Sequence, residues 1–277
     1  MNKINKTMDL WIWPMTAVLI FLALQFISQF IVNTVDFFSA GQGTNEFYFT
    51  TKVAPWAMLI SSVFTIVILC FVKPFKLFKE FRIWVCDNWN ALFAFIIFFI
   101  TLVTTTILNE FVDAEFKDVA AEEFFLSVLQ NPVGVIAVVF VGPICEEVVF
   151  RAGIMKPMLD RKINPWIPIA VSSVIFGLVH MNIPQMVNAV CLGFVFAVIY
   201  YRTRSLIIST VAHIINNGAT VYIMLNVANP DDYKLEQMIG KGPMIASFVL
   251  MLILLVVAIK YFWKSTEQYQ DNTQKQI

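Results

Sequence analysis

The stretch VGVIAVVFVGPICEEVVFRAGIM, residues 133–155, is an apolar run long enough to cross a membrane, and yet it carries three charges. A spanning helix needs roughly twenty apolar residues, because the hydrocarbon core of a bilayer is about 30 Å thick. Two adjacent acids, Glu146 and Glu147, and the base Arg151 interrupt this run. Ionisable residues inside a span are costly, and they therefore indicate a functional site.

The composition of the whole chain favours an integral membrane protein. Of its 277 residues, 59% are hydrophobic, 15% are aromatic and only 14% are charged, and the mean hydropathy is +0.75. A soluble domain of this length could not cover so much apolar surface, so an integral membrane protein is the default class. We expect the lipid bilayer as a partner and no nucleic acid.

Eight apolar runs qualify, or nearly qualify, as membrane spans. They cover about residues 11–33, 53–72, 91–109, 133–158, 166–181, 187–201, 205–227 and 243–263. Because they lack the alternation of a barrel, they predict an all-α transmembrane helix bundle. The short link after the fifth run predicts a tight hairpin with the sixth. Most Lys and Arg residues of the loops fall on one side of this topology, which predicts that both termini are cytoplasmic.

We expect one integral membrane domain made of three parts. Residues 1–132 hold the first three spans, residues 133–227 hold the core with its polar residues, and residues 228–277 hold the last span and a polar tail. The basic loop 73–82 is predicted to be cytoplasmic, either as a helix on the anionic leaflet or as a topogenic signal alone. The acidic loop 110–126 is predicted to be external.

Helical spacing sorts the polar residues of the core. Glu147 and Arg151 are four residues apart, so they can form an ion pair on one helix face. Glu146 points about 100° away from Glu147 and has no base three or four residues later, so it is left to serve as a general base. Pro143 lies about one turn earlier and predicts a kinked or loosened helix, because it lacks a backbone donor.

The chain has two histidines, and both fall inside predicted spans. His213 shares a helix face with Asn217, and Asn216 could also reach that face, so spacing does not choose between the two asparagines. His180 follows Phe176 by four residues, so the aromatic ring could form a wall of its pocket, in a helix predicted to continue to about residue 184. Each polar residue alone could serve as an ion pair or an interhelical hydrogen bond. Together they are the groups needed to activate water and to hold an oxyanion.

Three motifs in this core resemble those of the CAAX protease and bacteriocin-processing membrane proteins, also called the Abi family. The family pattern EExxxR, FxxxH and HxxxN is matched in order by EEVVFR (146–151), FGLVH (176–180) and HIINN (213–217). The resemblance covers about residues 133–220, and the rest of the chain is similar only in being membranous. It implies an intramembrane endopeptidase of a bacterial cell membrane.

The resemblance also implies a role for each matching residue. Glu146 would be the base that, with His180, activates a water molecule, while His213 and Asn217 would stabilise the oxyanion. This chemistry requires Glu146 and His180 to approach each other closely. The implied catalytic residues are Glu146, His180, His213 and Asn217, and the implied supporting residues are Glu147, Arg151 and Phe176.

The sequence leaves the cofactor, the substrate and the class of protein open to alternatives. No cofactor is preferred, but Glu146, His180 and His213 could hold a catalytic Zn²⁺ with an open fourth position. The substrate would be a membrane-embedded or lipidated protein or peptide, such as a prenylated CAAX protein or a bacteriocin or pheromone leader. A non-catalytic membrane scaffold or immunity protein is an alternative class. A transporter is a weaker one, because the sequence shows no inverted repeat or paired broken helices.

Overall fold

The computed structural model describes residues 3–40, 46–71, 88–116, 118–226 and 234–266. Within these ranges every regular element is a helix and no residue belongs to a strand, which confirms the predicted all-α class. The helices of these ranges, in chain order, are α1 (Lys3–Ala40), α2 (Glu46–Phe71), α3 (Asn88–Phe116), α4 (Val119–Leu129), α5 (Pro132–Asp160), α6 (Trp166–Leu178), α7 (Ile183–Thr203), α8 (Leu206–Asn226), α9 (Leu235–Ile239) and α10 (Lys241–Ser265).

Seven helices in the described part of the chain are long and apolar enough to cross a membrane. They are α1, α2, α3, α5, α7, α8 and α10, so the chain is a multi-pass integral membrane protein. The run predicted for residues 166–181 is the 13-residue helix α6, whose length of about 20 Å is less than the thickness of the hydrocarbon core. The basic loop 73–82 lies outside the described residues, and the orientation of the termini stays a prediction.

The chain divides into two compact units. The first unit contains residues 1–79, 118–164 and 213–228, and the second contains residues 80–117, 165–212 and 229–277. Helix α8 contributes its first seven residues, about two turns, to the second unit and the remainder, from His213 onward, to the first. The three parts predicted from the sequence follow chain order, and their boundaries stay a prediction.

Contacts within the first unit determine where α5 begins and how closely it packs against α4. Helices α1 and α2 pack together, and α2 also packs against α4 and α5. A Cβ atom on Gly134 would lie 2.1 Å from the carbonyl oxygen of Val128, so only glycine allows α5 to approach the end of α4 this closely. The side chain of Asn131 caps α5 by accepting the N–H of Val133, 3.0 Å away, and Pro132 takes a first-turn position where no donor is needed. One buried apolar cluster in the core of this unit contains Val32, Ala54, Val128, Leu129, Val138, Val139 and Val221.

The second unit contains the predicted hairpin, formed by α6 and α7. Glycines bring the two helices into close contact, since a Cβ atom on Gly177 would lie 2.3 Å from Val190 and one on Gly193 would lie 2.7 Å from the ring of Phe176. Met181 has a positive φ of 52°, and the chain reverses there. Helix α7 also packs against α3, which packs against α10.

Helix α5 departs from regular α-helical geometry at two places. Its segments Ala137–Val141 and Val148–Met155 are π-helical, and each is followed closely by a proline, Pro143 or Pro157. In both places the residue before the proline donates its N–H to the carbonyl five positions earlier. A proline ring clashes with the carbonyl four residues before it, and a wider π-turn relieves that clash. The loosening predicted at Pro143 is therefore confirmed.

Candidate active site

A buried ion pair lies at the centre of α5. Arg151 Nε is 3.2 Å from Glu147 Oε2, and both side chains are completely buried. The pair predicted from the four-residue spacing is therefore observed. Burying two charges is costly, so the loss of either partner would leave an uncompensated charge in the interior.

His213 of α8 links this pair to the second acid. Its Nε2 atom is 3.4 Å from Glu146 Oε2, and its Nδ1 atom is 3.4 Å from Glu147 Oε1. The imidazole is therefore placed between two adjacent carboxyl groups. The side chain of His213 is only 4% exposed, whereas that of Glu146 is 22% exposed, so Glu146 is the acid that can be reached from outside the protein interior.

His213 and its two acidic neighbours are groups that can take up and release protons. A carboxylate can only accept a hydrogen bond, and a neutral imidazole offers one N–H and one lone pair. An imidazole between two carboxyl groups, one of which is partly exposed, has the parts for both general acid and general base chemistry.

Asn217 also reaches α5, one helical turn after His213. Its Nδ2 atom donates to the carbonyl oxygen of Val138 at 3.0 Å, and its Oδ1 atom accepts from Nδ2 of Asn216 at 3.1 Å. The spacing of the sequence leaves both asparagines open, whereas the structure distinguishes them. Asn217 contacts α5, and Asn216 orients the amide of Asn217.

His180 lies just beyond the end of α6, in the second unit. The helix ends at Leu178, so the prediction that it continues to about residue 184 is wrong. The physical reason is that Pro184 occupies the first turn of α7, which the side chain of Asn182 caps by accepting from Gln185. The chain must therefore leave the helix and reverse before Asn182.

The ring of His180 is held by its own turn. Its Nδ1 atom is 2.8 Å from the carbonyl oxygen of Phe176, and the ring of Phe176 meets the imidazole edge to face, with 5.1 Å between the ring centroids. The predicted aromatic wall is therefore confirmed. Because a carbonyl only accepts, Nδ1 carries the hydrogen, and Nε2 keeps a lone pair that can bind a proton or a metal ion.

The structure brings some of the predicted site residues together and describes the others separately. The residues that meet in the first unit are Glu146, Glu147, Arg151, His213 and Asn217. His180 and Phe176 belong to the second unit, so the close approach of His180 to Glu146 stays a prediction. Across the described ranges, no three His, Cys, Asp or Glu side chains are gathered so that they could hold a metal ion. Glu146 and His213 offer two donors, one fewer than a catalytic zinc takes from the protein, and the zinc alternative stays a prediction.

Residues 128–219 match the family model described as Type II CAAX prenyl endopeptidase Rce1-like. This match confirms the resemblance to the CAAX protease family. The chain is 37% identical over 101 residues to the putative membrane peptidase YdiL of Bacillus subtilis (strain 168), an alignment that covers 36% of this chain and 41% of that relative. It is 25% identical over 236 residues to the membrane-embedded CAAX protease MroQ of Staphylococcus aureus (strain USA300), covering 81% of this chain and 93% of that relative. No solved structure gives a significant match.

The part that matches the CAAX protease family contains all three sequence motifs, residues 146–151, 176–180 and 213–217. Both relatives are bacterial membrane proteins by name, which supports a bacterial membrane as the location of this chain. The match to the first relative spans less than half of its length. The activity of this chain is therefore a proposal, given below.

Three features of this CAAX protease-like core could not be predicted from the sequence. The contact of His213 with Glu147 depends on how α8 packs against α5, which spacing along one helix does not show. The bond from Asn217 to Val138 depends on the π-helical register before Pro143, whose only sequence signal is the proline itself. The close contact of Gly193 with the ring of Phe176 joins residues seventeen positions apart, and only the α6–α7 hairpin brings them together.

Proposed function

We propose that this chain is an intramembrane endopeptidase, which hydrolyses peptide bonds of membrane-associated proteins or peptides with an activated water molecule. The observation that carries the proposal is the contact between Glu146 Oε2 and His213 Nε2, at 3.4 Å between two membrane helices. A partly exposed carboxyl group beside a buried imidazole is the arrangement that general acid–base catalysis needs. The match of residues 128–219 to a family of endopeptidases supports the same reaction class.

Each side chain has a defined part in the proposed reaction. Glu146, together with Nε2 of His180, takes a proton from water, and the resulting hydroxide attacks the carbonyl carbon of the substrate. His213 and the second N–H of Asn217 donate to the oxygen that becomes negative. The C–N bond then breaks, and the proton held by Glu146 passes to the leaving nitrogen. Loss of one oxyanion donor typically lowers the rate about 10²–10³-fold.

The proposed supporting residues act on Glu146 and His180 without touching the substrate. Arg151 neutralises Glu147, so that Glu147 does not compete with Glu146 for the proton taken from water. Phe176 holds Nδ1 of His180 through its carbonyl oxygen, at 2.8 Å, so that Nε2 keeps its lone pair for the water molecule. These roles agree with the burial of Glu147, Arg151 and Phe176, each at most 2% exposed.

A zinc-dependent form of the same proposal uses Glu146, His180 and His213 as ligands. We prefer the metal-free form, because Glu146 and His213, which meet within the first unit, offer one donor fewer than the three that a catalytic zinc takes from the protein. Bound zinc would act as a Lewis acid and lower the pKa of a bound water molecule. Exhaustive chelation distinguishes the two forms, since full activity after chelation would exclude the zinc-dependent form.

The test compares purified protein in liposomes with the variant Glu146→Gln, which keeps the shape of the side chain and removes the base. Glu123→Gln is the matched control, because it makes the same change at an exposed acid of α4. We expect membrane peptides to be cleaved by the wild type and by Glu123→Gln, and not by Glu146→Gln. Comparative membrane peptidomics of cells with each variant identifies the substrate and separates CAAX proteins from secreted peptide leaders. Cleavage by Glu146→Gln at the rate of the wild type would overturn the proposal and leave a non-catalytic membrane protein as the alternative.

A further inference from the structure

The hydrogen bond from Asn217 to Val138 replaces a backbone hydrogen bond that α5 lacks at Pro143. Gly142, which follows the π-helical segment Ala137–Val141, donates its N–H to the carbonyl of Ala137. The next donor in this register would be the N–H of residue 143, and its acceptor would be the carbonyl of Val138. Residue 143 is a proline and has no N–H. The side-chain amide of Asn217 supplies the missing donor, 3.0 Å from that oxygen.

The carbonyl of Val138 needs a hydrogen-bond donor, because it lies in a buried, apolar part of the protein. Val138 is 8% exposed and belongs to the apolar core of the first unit. A backbone carbonyl without a partner in such surroundings is costly, and more so inside a membrane, where no water can replace the donor. Gly142 does not serve it, because the N–H of Gly142 is bound to Ala137.

Two neighbouring contacts fix the orientation of the Asn217 amide. A carbonyl oxygen can only accept, so Nδ2 of Asn217 must face Val138, and Oδ1 then accepts from Asn216 at 3.1 Å. The consecutive asparagines therefore have different tasks, with Asn216 orienting the amide that Asn217 presents to α5. One N–H of Asn217 is used by Val138, and the other is left for the oxyanion role proposed above.

Two of the contacts between α5 and α8 join residues in opposite chain order. Val138 meets Asn217, and Glu146, eight residues later in α5, meets His213, four residues earlier in α8. The widened segment and Pro143 lie between these two contacts on α5. Because a π-turn and a proline weaken the backbone bonds of a helix, the bond at Val138 limits how far the segment with Glu146 can shift against His213.

We infer that Asn217 is a positioning residue, whose amide replaces the hydrogen bond that Pro143 cannot make and thereby holds Glu146 against His213. Its consequence for catalysis rests on the proposed function. The pairing of Asn217 with a proline on another helix is a property of the fold and does not depend on that function.

A double-mutant cycle with Pro143→Ala and Asn217→Ala tests the inference in the full-length protein, in detergent or nanodiscs. Asn217→Ala should lower the melting temperature by about 2–4 °C, the size typical of one hydrogen bond in a chain of this length. Pro143→Ala restores a backbone N–H, so in the Asn217→Ala background it should recover most of that loss. In the wild-type background it should gain less, because Val138 already has a donor.

Pro157→Ala is the matched control, because Pro157 also follows a π-helical segment of α5 but lies beyond Glu146. It should not restore the stability of Asn217→Ala. Equal rescue by Pro157→Ala, or no rescue by Pro143→Ala, would overturn the inference. If Pro143→Ala fails to fold, Asn217→Asp serves as the test, since it places a carboxylate oxygen against the Val138 carbonyl. Asn217→Asp should lower the melting temperature more than Asn217→Ala, and an unchanged melting temperature would overturn the inference.

Measurements of kcat and KM distinguish an effect on the position of Glu146 from an effect on the stability of the whole protein. Measured well below the melting temperature, Asn217→Ala should lower kcat with little change in KM, and Pro143→Ala should recover part of that kcat. An Asn217→Ala protein with undiminished kcat would overturn the positioning role. An absence of rescue in kcat, while the melting temperature recovers, would also overturn it and leave Asn217 as an oxyanion donor and a structural bond. If the wild type cleaves nothing, the proposed function fails, while the rescue of stability still tests the bond to Val138.

Discussion

The two histidines of this chain have opposite kinds of surroundings. His213 lies within α8, and both of its ring nitrogens are 3.4 Å from acidic side chains of α5. His180 lies beyond the end of α6, where the carbonyl and ring of Phe176, one turn earlier, hold it. The first imidazole is therefore controlled by charge and the second by local geometry. Changes of charge should act mainly on the first site, and changes of packing should act mainly on the second.

Removal of the charge that balances the acids around His213 should have the largest effect on stability. Arg151→Met keeps an apolar side chain of similar length but leaves Glu147 buried without its partner. Breaking a buried ion pair in this way costs about 3–5 kcal/mol. We expect this loss in the free energy of unfolding, measured by denaturant titration in mixed micelles.

The double variant Glu147→Gln with Arg151→Met is the control for that experiment. It removes both charges, so it should be clearly more stable than Arg151→Met alone. If the double variant is as unstable as the single one, then packing of the arginine stem, rather than charge balance, determines the stability of this region.

Replacement of each histidine by glutamine should lower the free energy of unfolding by a different amount at each site. His213→Gln removes a buried group that lies 3.4 Å from each of two carboxyl groups, and loss of a polar neighbour from a buried polar group costs about 1–3 kcal/mol, with larger losses at charged groups. His180→Gln removes a partly exposed ring with a neutral partner, so it should cost about 1 kcal/mol. Both variants should lose activity under the proposed function. Equal losses of stability in the two variants would contradict the contrast between charge and geometry.

The sequence predicts the local part of this arrangement well, because spacing within one helix fixes which side chains share a face. Glu147 with Arg151, and Phe176 with His180, are pairs four residues apart, and both are observed. The second contact of His213 is different, because it depends on the rotation of α8 against α5, which no pattern within α8 encodes. The sequence also overestimates the length of α6, because the helical pattern continues through His180 while Asn182 and Pro184 already begin the next helix.

A change of packing should reach His180 through its aromatic neighbour. Gly193→Ala would place a methyl group 2.7 Å from the ring of Phe176, so the ring must move together with the imidazole that it contacts. Overpacking costs about 1–3 kcal/mol, and the better helix propensity of alanine offsets about 1 kcal/mol of this, which leaves a net loss of up to about 2 kcal/mol. The rate of cleavage should fall as well. Gly242→Ala is the matched control, because nothing lies within 4 Å of its added methyl group, and it should lower neither stability nor the rate.

The smallest effect is expected at an ion pair of the same spacing in the same helix. Lys156 and Asp160 are also four residues apart in α5, but their side chains are 14% and 57% exposed, whereas those of Glu147 and Arg151 are completely buried. Exposed pairs of this spacing contribute about 0.3–0.5 kcal/mol, because water and salt screen the charges. Asp160→Asn should therefore change the free energy of unfolding by no more than this amount and leave the rate of cleavage unchanged. A loss approaching that of Arg151→Met would mean that ion pairing along α5, and not the burial of charge around His213, sets the stability of the region, and the contrast between the two histidines would lose its physical basis.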